Sequence, residues 1–326
     1  MLTVDLAAAS VLKRALPDGV ISWYALHAPD QFGRIHASVN PSELPFNWRS
    51  LVEHFDEVCE HDVILLWGDF LQARHYFVQD AVERLVEGSN QGLSADKALD
   101  VLYRCLLFKD TAPAVLNKVF VFGSSILFNR QTDYASDRYG DYLVRLFRNC
   151  GGVWAREPIS AAKIQHLRQD YASTALGTDS AFLLRNEDIA PLSTTSWLDN
   201  PPLEDRIGLF FGARTRPSRA LFELLRALTQ RLGLQLEWLP WLPLHEWMRS
   251  ARIDPWRKPV LAAALAYGRR KIDRLMTRGA HYSAGDLLAA VGRYRCIVTD
   301  TYHLCVNAWR AGTPVIKRIL IRSSGS

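Results

Sequence analysis

Two α/β domains built on parallel sheets, Rossmann-like halves facing each other across a cleft, are what this sequence predicts. Three observations lead there. Short apolar runs of buried-strand length alternate with stretches of helical spacing. The alternation breaks at a Pro-, Ser-, Thr- and Asn-rich stretch at 186–205 and then restarts. The 326 residues, 48% of them hydrophobic, suffice for two separate cores. The expected domains are 1–190 and 205–326. Helices between successive strands imply parallel sheets covered on both faces.

The elements follow in order. Residues 2–16 have helical spacing and stop at Pro17-Asp18-Gly19. Residues 21–26 read as a strand, 27–47 as loop and 49–59 as helix. The run Asp-Val-Ile-Leu-Leu-Trp at 62–67 reads as a buried strand stopped by Gly68-Asp69. Helical spacing then covers 70–87 and 94–108, with Ser94 as cap and Asp96 in the first turn. Val-Phe-Val-Phe at 119–122 is the next strand, turned by Gly123-Ser124-Ser125. A helix over 134–149, a strand over 153–155, a helix from a Ser160 cap to 171 and an extended piece at 174–176 complete the first half. In the second half, strands are expected at 207–211, 234–239, 296–299 and 314–316. Helices are expected at 218–232, after a Ser283 cap, and at 301–311 before Gly312.

Composition narrows the function classes. The net charge of +5 is spread along the chain, which suits mild attraction for phosphates or acidic glycans. A nucleic-acid binder would carry a denser basic stripe. The ten Trp and eleven Tyr could serve as sugar-stacking surfaces or simply as core. Cys59, Cys105, Cys150, Cys296 and Cys305 form no C-x-x-C pair, which points to reduced thiols in the cytosol. No signal-peptide pattern and no long apolar span is present. The apolar run 260–267 is followed by Arg269, Arg270, Lys271, Arg274 and Arg278. It reads either as a helix resting on the inner face of a membrane or as an ordinary helix with a basic face.

In open parallel sheets, ligands bind beyond the carboxyl ends of the strands. That rule selects Gly68-Asp69, Gly123-Ser124-Ser125, Arg156-Glu157, Asp179, Arg214 with Arg216, and Asp300-Thr301-Tyr302-His303. The last group opens a helix whose unpaired N–H groups suit a phosphate or carboxylate. His303 in that first turn can donate a proton near neutrality, or can act only as a cap. Arg156 can clamp an anion at two points, or can pair with Glu157 or another acid. Gly123, Ser124 and Ser125 let backbone approach a ligand, and Arg214 and Arg216 can bind an anion or stay solvated. No G-x-G-x-x-G, Walker loop, H-E-x-x-H or G-x-S-x-G occurs. No metal ligand set and no cofactor is expected.

Four segments in order resemble the polysaccharide pyruvyl transferase family. They are Lys118-Val-Phe-Val-Phe-Gly-Ser-Ser-Ile-Leu127, Val153-Trp-Ala-Arg-Glu-Pro-Ile-Ser160, Gly177-Thr-Asp-Ser-Ala-Phe-Leu-Leu184, and the stretch 298–316 holding Thr-Asp-Thr-Tyr-His and Gly-Thr-Pro-Val-Ile. The resemblance implies a fold similar to the GT-B class of glycosyltransferases. It implies transfer of a pyruvyl group from phosphoenolpyruvate to a sugar of a surface polysaccharide or its lipid-linked precursor, with release of phosphate. The family histidine falls on His303 and its arginine on Arg156. The family often has arginine where Thr301 stands, so that anion clamp is either missing or supplied by Arg214, Arg216 or Lys317. The family also opens with a strand and an N-x-G-D turn and continues past Pro314, so the second domain is expected to be incomplete. Two other readings stay open: a nucleotide-sugar glycosyltransferase of the same architecture, and a non-catalytic glycan-binding relative.

Overall fold

A computed structural model of the chain describes residues 2–26, 46–68, 70–88, 92–135, 138–169, 174–190, 203–211, 219–239 and 284–317. It divides into two compact units, the first ending at Leu183 and the second starting at Leu184. Both are α/β, and every strand pairing described is parallel.

The first unit opens with the helix Leu2–Ala15, followed by a two-stranded parallel pair, β1 (Trp23–Ala25) and β2 (Trp48–Ser50). Residues 49–59 are therefore not one helix. The strand takes 48–50, and the helix is confined to Phe55–Glu60. Pairing with β1 and a ring cluster of Trp23, Phe46 and Trp48 outweigh local helical spacing there. The main sheet has the order β3 (Ile64–Trp67), β4 (Val119–Ser124), β5 (Gly152–Ala155), β6 (Thr174–Leu176). Ile64, Leu66, Val119, Val121, Val153 and Ala155 bury one face in a core shared with Leu102, Leu106, Leu143 and Phe147. These last four belong to the helices Ala95–Leu107 and Arg138–Asn149.

The opposite face is covered in part, by the first helix, and its residues are mostly half-buried. It carries an aromatic ladder in which Trp67 stacks on Phe122 at 4.6 Å and Phe120 approaches Trp154 at 6.3 Å. Trp67 Nε1 donates to Val4 O at 2.9 Å, fastening the first helix there. Trp154 stays partly exposed. The residues alternate because each run is a true period-two strand with smaller side chains inward and rings outward.

Three helix boundaries also differ from expectation. The stretch 70–87 contains Arg74–Tyr76, a π-helical Phe77–Ala81, and Val82–Gly88. The expected 134–149 helix is represented by Thr132–Ala135 and Arg138–Asn149. Ser160 is not a cap. The helix is Pro158–Arg168 with Pro158 in its first turn and Glu157 at the N-cap, as proline's preset φ favours. Ser94 does cap its helix, accepting from Lys97 N at 3.4 Å. All five cysteines are free, and burial pushes the Cys105 thiol up to about 12.

The second unit has the order β8 (Gln235–Trp238), β7 (Leu203–Phe210), β9 (Tyr294–Thr299), β10 (Val315–Lys317). Here both faces are covered. Ile207, Leu209, Phe211 and Val298 pack with Leu225 of the helix Arg219–Leu232. Phe210 and Ile297 pack with Val291, Leu304 and Ala308 from the helices Ala284–Val291 and Tyr302–Arg310. The buried Arg310 guanidinium fastens the short helix Asn186–Ile189, with NH1 donating to Asn186 Oδ1 at 3.1 Å and NH2 to Leu288 O at 3.3 Å. Gly312, at φ 76°, ends the last helix as expected. The Ser283 cap, the basic run 269–278 and the segment 191–202 lie outside the described residues.

Gly68 ends β3 at φ 84°, and its N–H donates to Phe122 O at 2.7 Å. A Cβ there would stand 2.5 Å from Val4 Cγ1. Gly68→Ala is expected to destabilise the first unit by roughly 1–3 kcal/mol through left-handed strain and overpacking. A lowered denaturation midpoint would show it, and an unchanged midpoint would contradict it.

Candidate functional site

The residues that follow all four strands of the first main sheet meet. Phe70 comes after β3, Phe128 after β4, Arg156 directly after β5, and Asp179 after β6. Gly123, at φ 71°, lets this happen. A Cβ on it would lie 3.5 Å from both Gly68 Cα and Thr178 O, so the turns after β3, β4 and β6 pass close together. Arg156 N donates to Ser124 O at 3.0 Å. The Arg156 side chain is only 8% exposed and stacks 4.4 Å over the Phe70 ring. Its NH1 stands 3.5 Å from Asp179 Oδ2, and its Nε 3.7 Å from Glu157 Oε2. The ion-pair alternative for Arg156 is thus present. A planar guanidinium in such a setting is held in one orientation at the carboxyl end of β5. Asp179 is fixed in turn by Ala181 N, which donates to its Oδ1 at 3.0 Å.

The candidate serines point into structure. Ser124 is buried and donates to Gln72 Oε1 at 2.6 Å, and Ser125 donates to Glu157 Oε1 at 3.0 Å. Gln72 O accepts the Tyr139 hydroxyl at 2.6 Å, and that hydroxyl accepts from Asn129 Nδ2 at 2.7 Å. Asn129 Oδ1 accepts from Arg74 N at 2.9 Å. The Gln72 Nε2 is buried without a hydrogen-bond partner. Lys163 closes the loop from below, donating to Leu127 O at 2.6 Å and Asn129 O at 2.7 Å. Ser160 accepts from Ile126 N at 2.8 Å. The backbone of the strand-end loop is therefore held rigidly from two sides.

The second unit has its own strand-end site. The chain leaves β7 toward β8 and returns on the other side to β9, so the strand order reverses between β7 and β9. Carboxyl ends at such a reversal are where open α/β sheets bind ligands. Phe210 of β7 is in register with Thr299 of β9, and Thr299 with Lys317 of β10. Thr301 occupies the N-cap of Tyr302–Arg310, and its side chain makes no cap bond. Its hydroxyl turns instead to Asp300 Oδ1 at 3.2 Å, and its N–H donates to Thr299 Oγ1 at 3.1 Å. His303 follows in the first turn, partly exposed, its ring edge-on to Tyr302 at 5.6 Å. Its carbonyl accepts from Asn307 Nδ2 at 2.7 Å, which fixes the turn. Lys317 Nζ lies 5.1 Å from the Tyr302 ring centre. A helix start with no side-chain cap, an imidazole and a nearby ammonium can receive an anion and deliver a proton.

Two groupings of the expected residues therefore emerge. Gly123, Ser124, Ser125, Arg156 and Asp179 gather in the first unit, and Asp300, Thr301 and His303 in the second. Asp69, Arg214 and Arg216 lie outside the described residues. Sequence reasoning missed Phe70, Phe128, Gln72, Tyr139 and Lys163. Among the described residues, no helix is long and apolar enough to cross a membrane.

A family model for polysaccharide pyruvyl transferase matches residues 6–317, nearly the whole chain. No curated protein matches it.

Proposed function

The chain belongs to the polysaccharide pyruvyl transferase family, and from that premise we propose that it moves a pyruvyl group from phosphoenolpyruvate to a sugar of a surface polysaccharide or its precursor. The single observation that supports this most is His303 in the first turn of the helix at the strand-order reversal, at the position of the family histidine.

The enol carbon takes a proton and becomes a methyl group. An acceptor hydroxyl bonds to the neighbouring carbon, the bond from that carbon to the phosphate oxygen breaks, and a second hydroxyl closes the ketal. One hydroxyl proton is carried, in net terms, by the methyl group and the other by the phosphate. His303 serves as the general acid, either at the enol carbon or at the departing phosphate. The N–H groups of its helix and Lys317 offset the donor's negative charge. Arg156 acts as a two-point anion clamp. The acceptor is a saccharide in free or lipid-linked form, and the reaction takes place in the cytoplasm, with the inner face of the membrane as the place where a lipid-linked acceptor would be met.

The test is incubation of the protein with phosphoenolpyruvate and candidate acceptor glycans, with phosphate release and acceptor mass as readouts. A ketal-bearing acceptor formed together with phosphate supports the reading. Turnover with a nucleotide sugar and none with phosphoenolpyruvate would replace it with glycosyl transfer.

A further inference from the structure

Phe128 is a large apolar ring with 62% of its surface exposed, on a loop whose backbone is otherwise thoroughly fastened. Isolated exposed rings are common and need no explanation, but this one is not isolated. It leans on Phe70 at 6.1 Å and meets His75 edge-on at 5.4 Å, while His75 meets Phe70 edge-on at 5.2 Å. Arg156 covers Phe70 at 4.4 Å. Lys163, Ser160 and Asn129 pin the backbone on both sides of the ring. A mobile loop could fold such a ring away from water, but this loop holds it out at the carboxyl edge of a parallel sheet, where ligands bind.

We infer that Phe128, backed by Phe70 and His75, is the stacking platform for a pyranose ring of the saccharide acceptor. This deepens the proposed function and rests on it for the acceptor's class. One face of a pyranose is lined by C–H groups of slight positive charge, which suits the negative face of an aromatic ring. A few polar groups beside an apolar wall give such a site its orientation. Glu157 is a polar group at this edge and keeps 24% of its side chain exposed. Phe128 is then a binding residue for the acceptor and takes no part in bond making.

The experiment measures sugar binding with no donor present. Saturation-transfer NMR on the full chain uses methyl β-galactoside, methyl α-mannoside and methyl β-glucoside as probes. At least one is expected to bind, about tenfold more weakly in Phe128→Ala, as loss of one ring contact implies. Phe128→Tyr should restore it. Equal binding in Phe128→Ala, or no transfer to any of the three from the wild type, overturns the inference. Phosphoenolpyruvate turnover is read separately. Sugar binding through Phe128 without phosphate release keeps the platform and sinks the transfer reading. Turnover with an unchanged acceptor KM in Phe128→Ala does the reverse.

Discussion

His303→Ala is expected to lower kcat by about a hundred- to ten-thousand-fold, the range that a positioned general acid supplies. The substitution removes a partly exposed imidazole from a first helical turn. The carbonyl of residue 303 still accepts from Asn307, and the helix remains packed through Leu304 and Ala308. Thermal stability should therefore hardly move. Added imidazole should recover part of the rate, because a small acid can occupy the space left. A merely capping histidine would give the opposite pattern, with lost stability, little lost rate and no rescue. Reaction in deuterated water separates the two roles for the proton. Deuterium in the product methyl group is expected for either role, whereas deuterium exchanged into unreacted phosphoenolpyruvate by the wild type and not by His303→Ala would place the acid at the enol carbon.

Arg156→Lys carries the second large effect. The charge remains, but the planar fork and its stacking on Phe70 are lost. The expected result is a ten- to hundredfold rise in KM for phosphoenolpyruvate, on the order of 1.4–2.8 kcal/mol. Lysine still offers the buried Asp179 a cation, so the first unit should stay folded. Were Arg156 only a structural ion pair, the lysine variant would keep its KM and lose stability instead. Steady-state kinetics and a melting curve on the same preparation separate these cases.

The strand ends that carry the account could be read from local pattern. Val119 to Phe122 is an apolar run followed by a glycine, and the glycine adopts the left-handed φ that such a turn needs. The second-unit helix was equally legible, with candidate caps before it and Gly312 after it. The platform was not legible, because it depends on distance in sequence. The Tyr139 hydroxyl reaches Gln72 across 67 positions, and Lys163 reaches Leu127 across 36. No periodicity encodes such contacts. Ser160 was misread because a serine near a helix start looks like a cap, although Pro158 was the stronger signal. The strand at Trp48–Ser50 was hidden because its partner, Trp23–Ala25, lies across a long intervening segment.

The resemblance and the geometry contribute different things. The family assignment concerns the class of reaction. The geometry concerns which side chains are free to take part. Ser124 and Ser125 illustrate the difference, since both carry motif positions yet spend their hydroxyls on Gln72 and Glu157. Their contribution to a ligand would come through backbone and loop shape. Thr301 likewise stands where the family often has arginine, and the Lys317 ammonium lies 5.1 Å from the ring centre of Tyr302, the residue that follows it.

The proposed reaction transfers the pyruvyl carbons themselves. The most direct measurement uses phosphoenolpyruvate labelled with carbon-13 and follows the label by mass spectrometry of the acceptor glycan, with phosphate counted in parallel. Label is expected on the acceptor in equal proportion to phosphate released, and is expected to be lost in His303→Ala. Phosphate released with the label left in free pyruvate, or an acceptor that gains mass only from a nucleotide sugar, would contradict it.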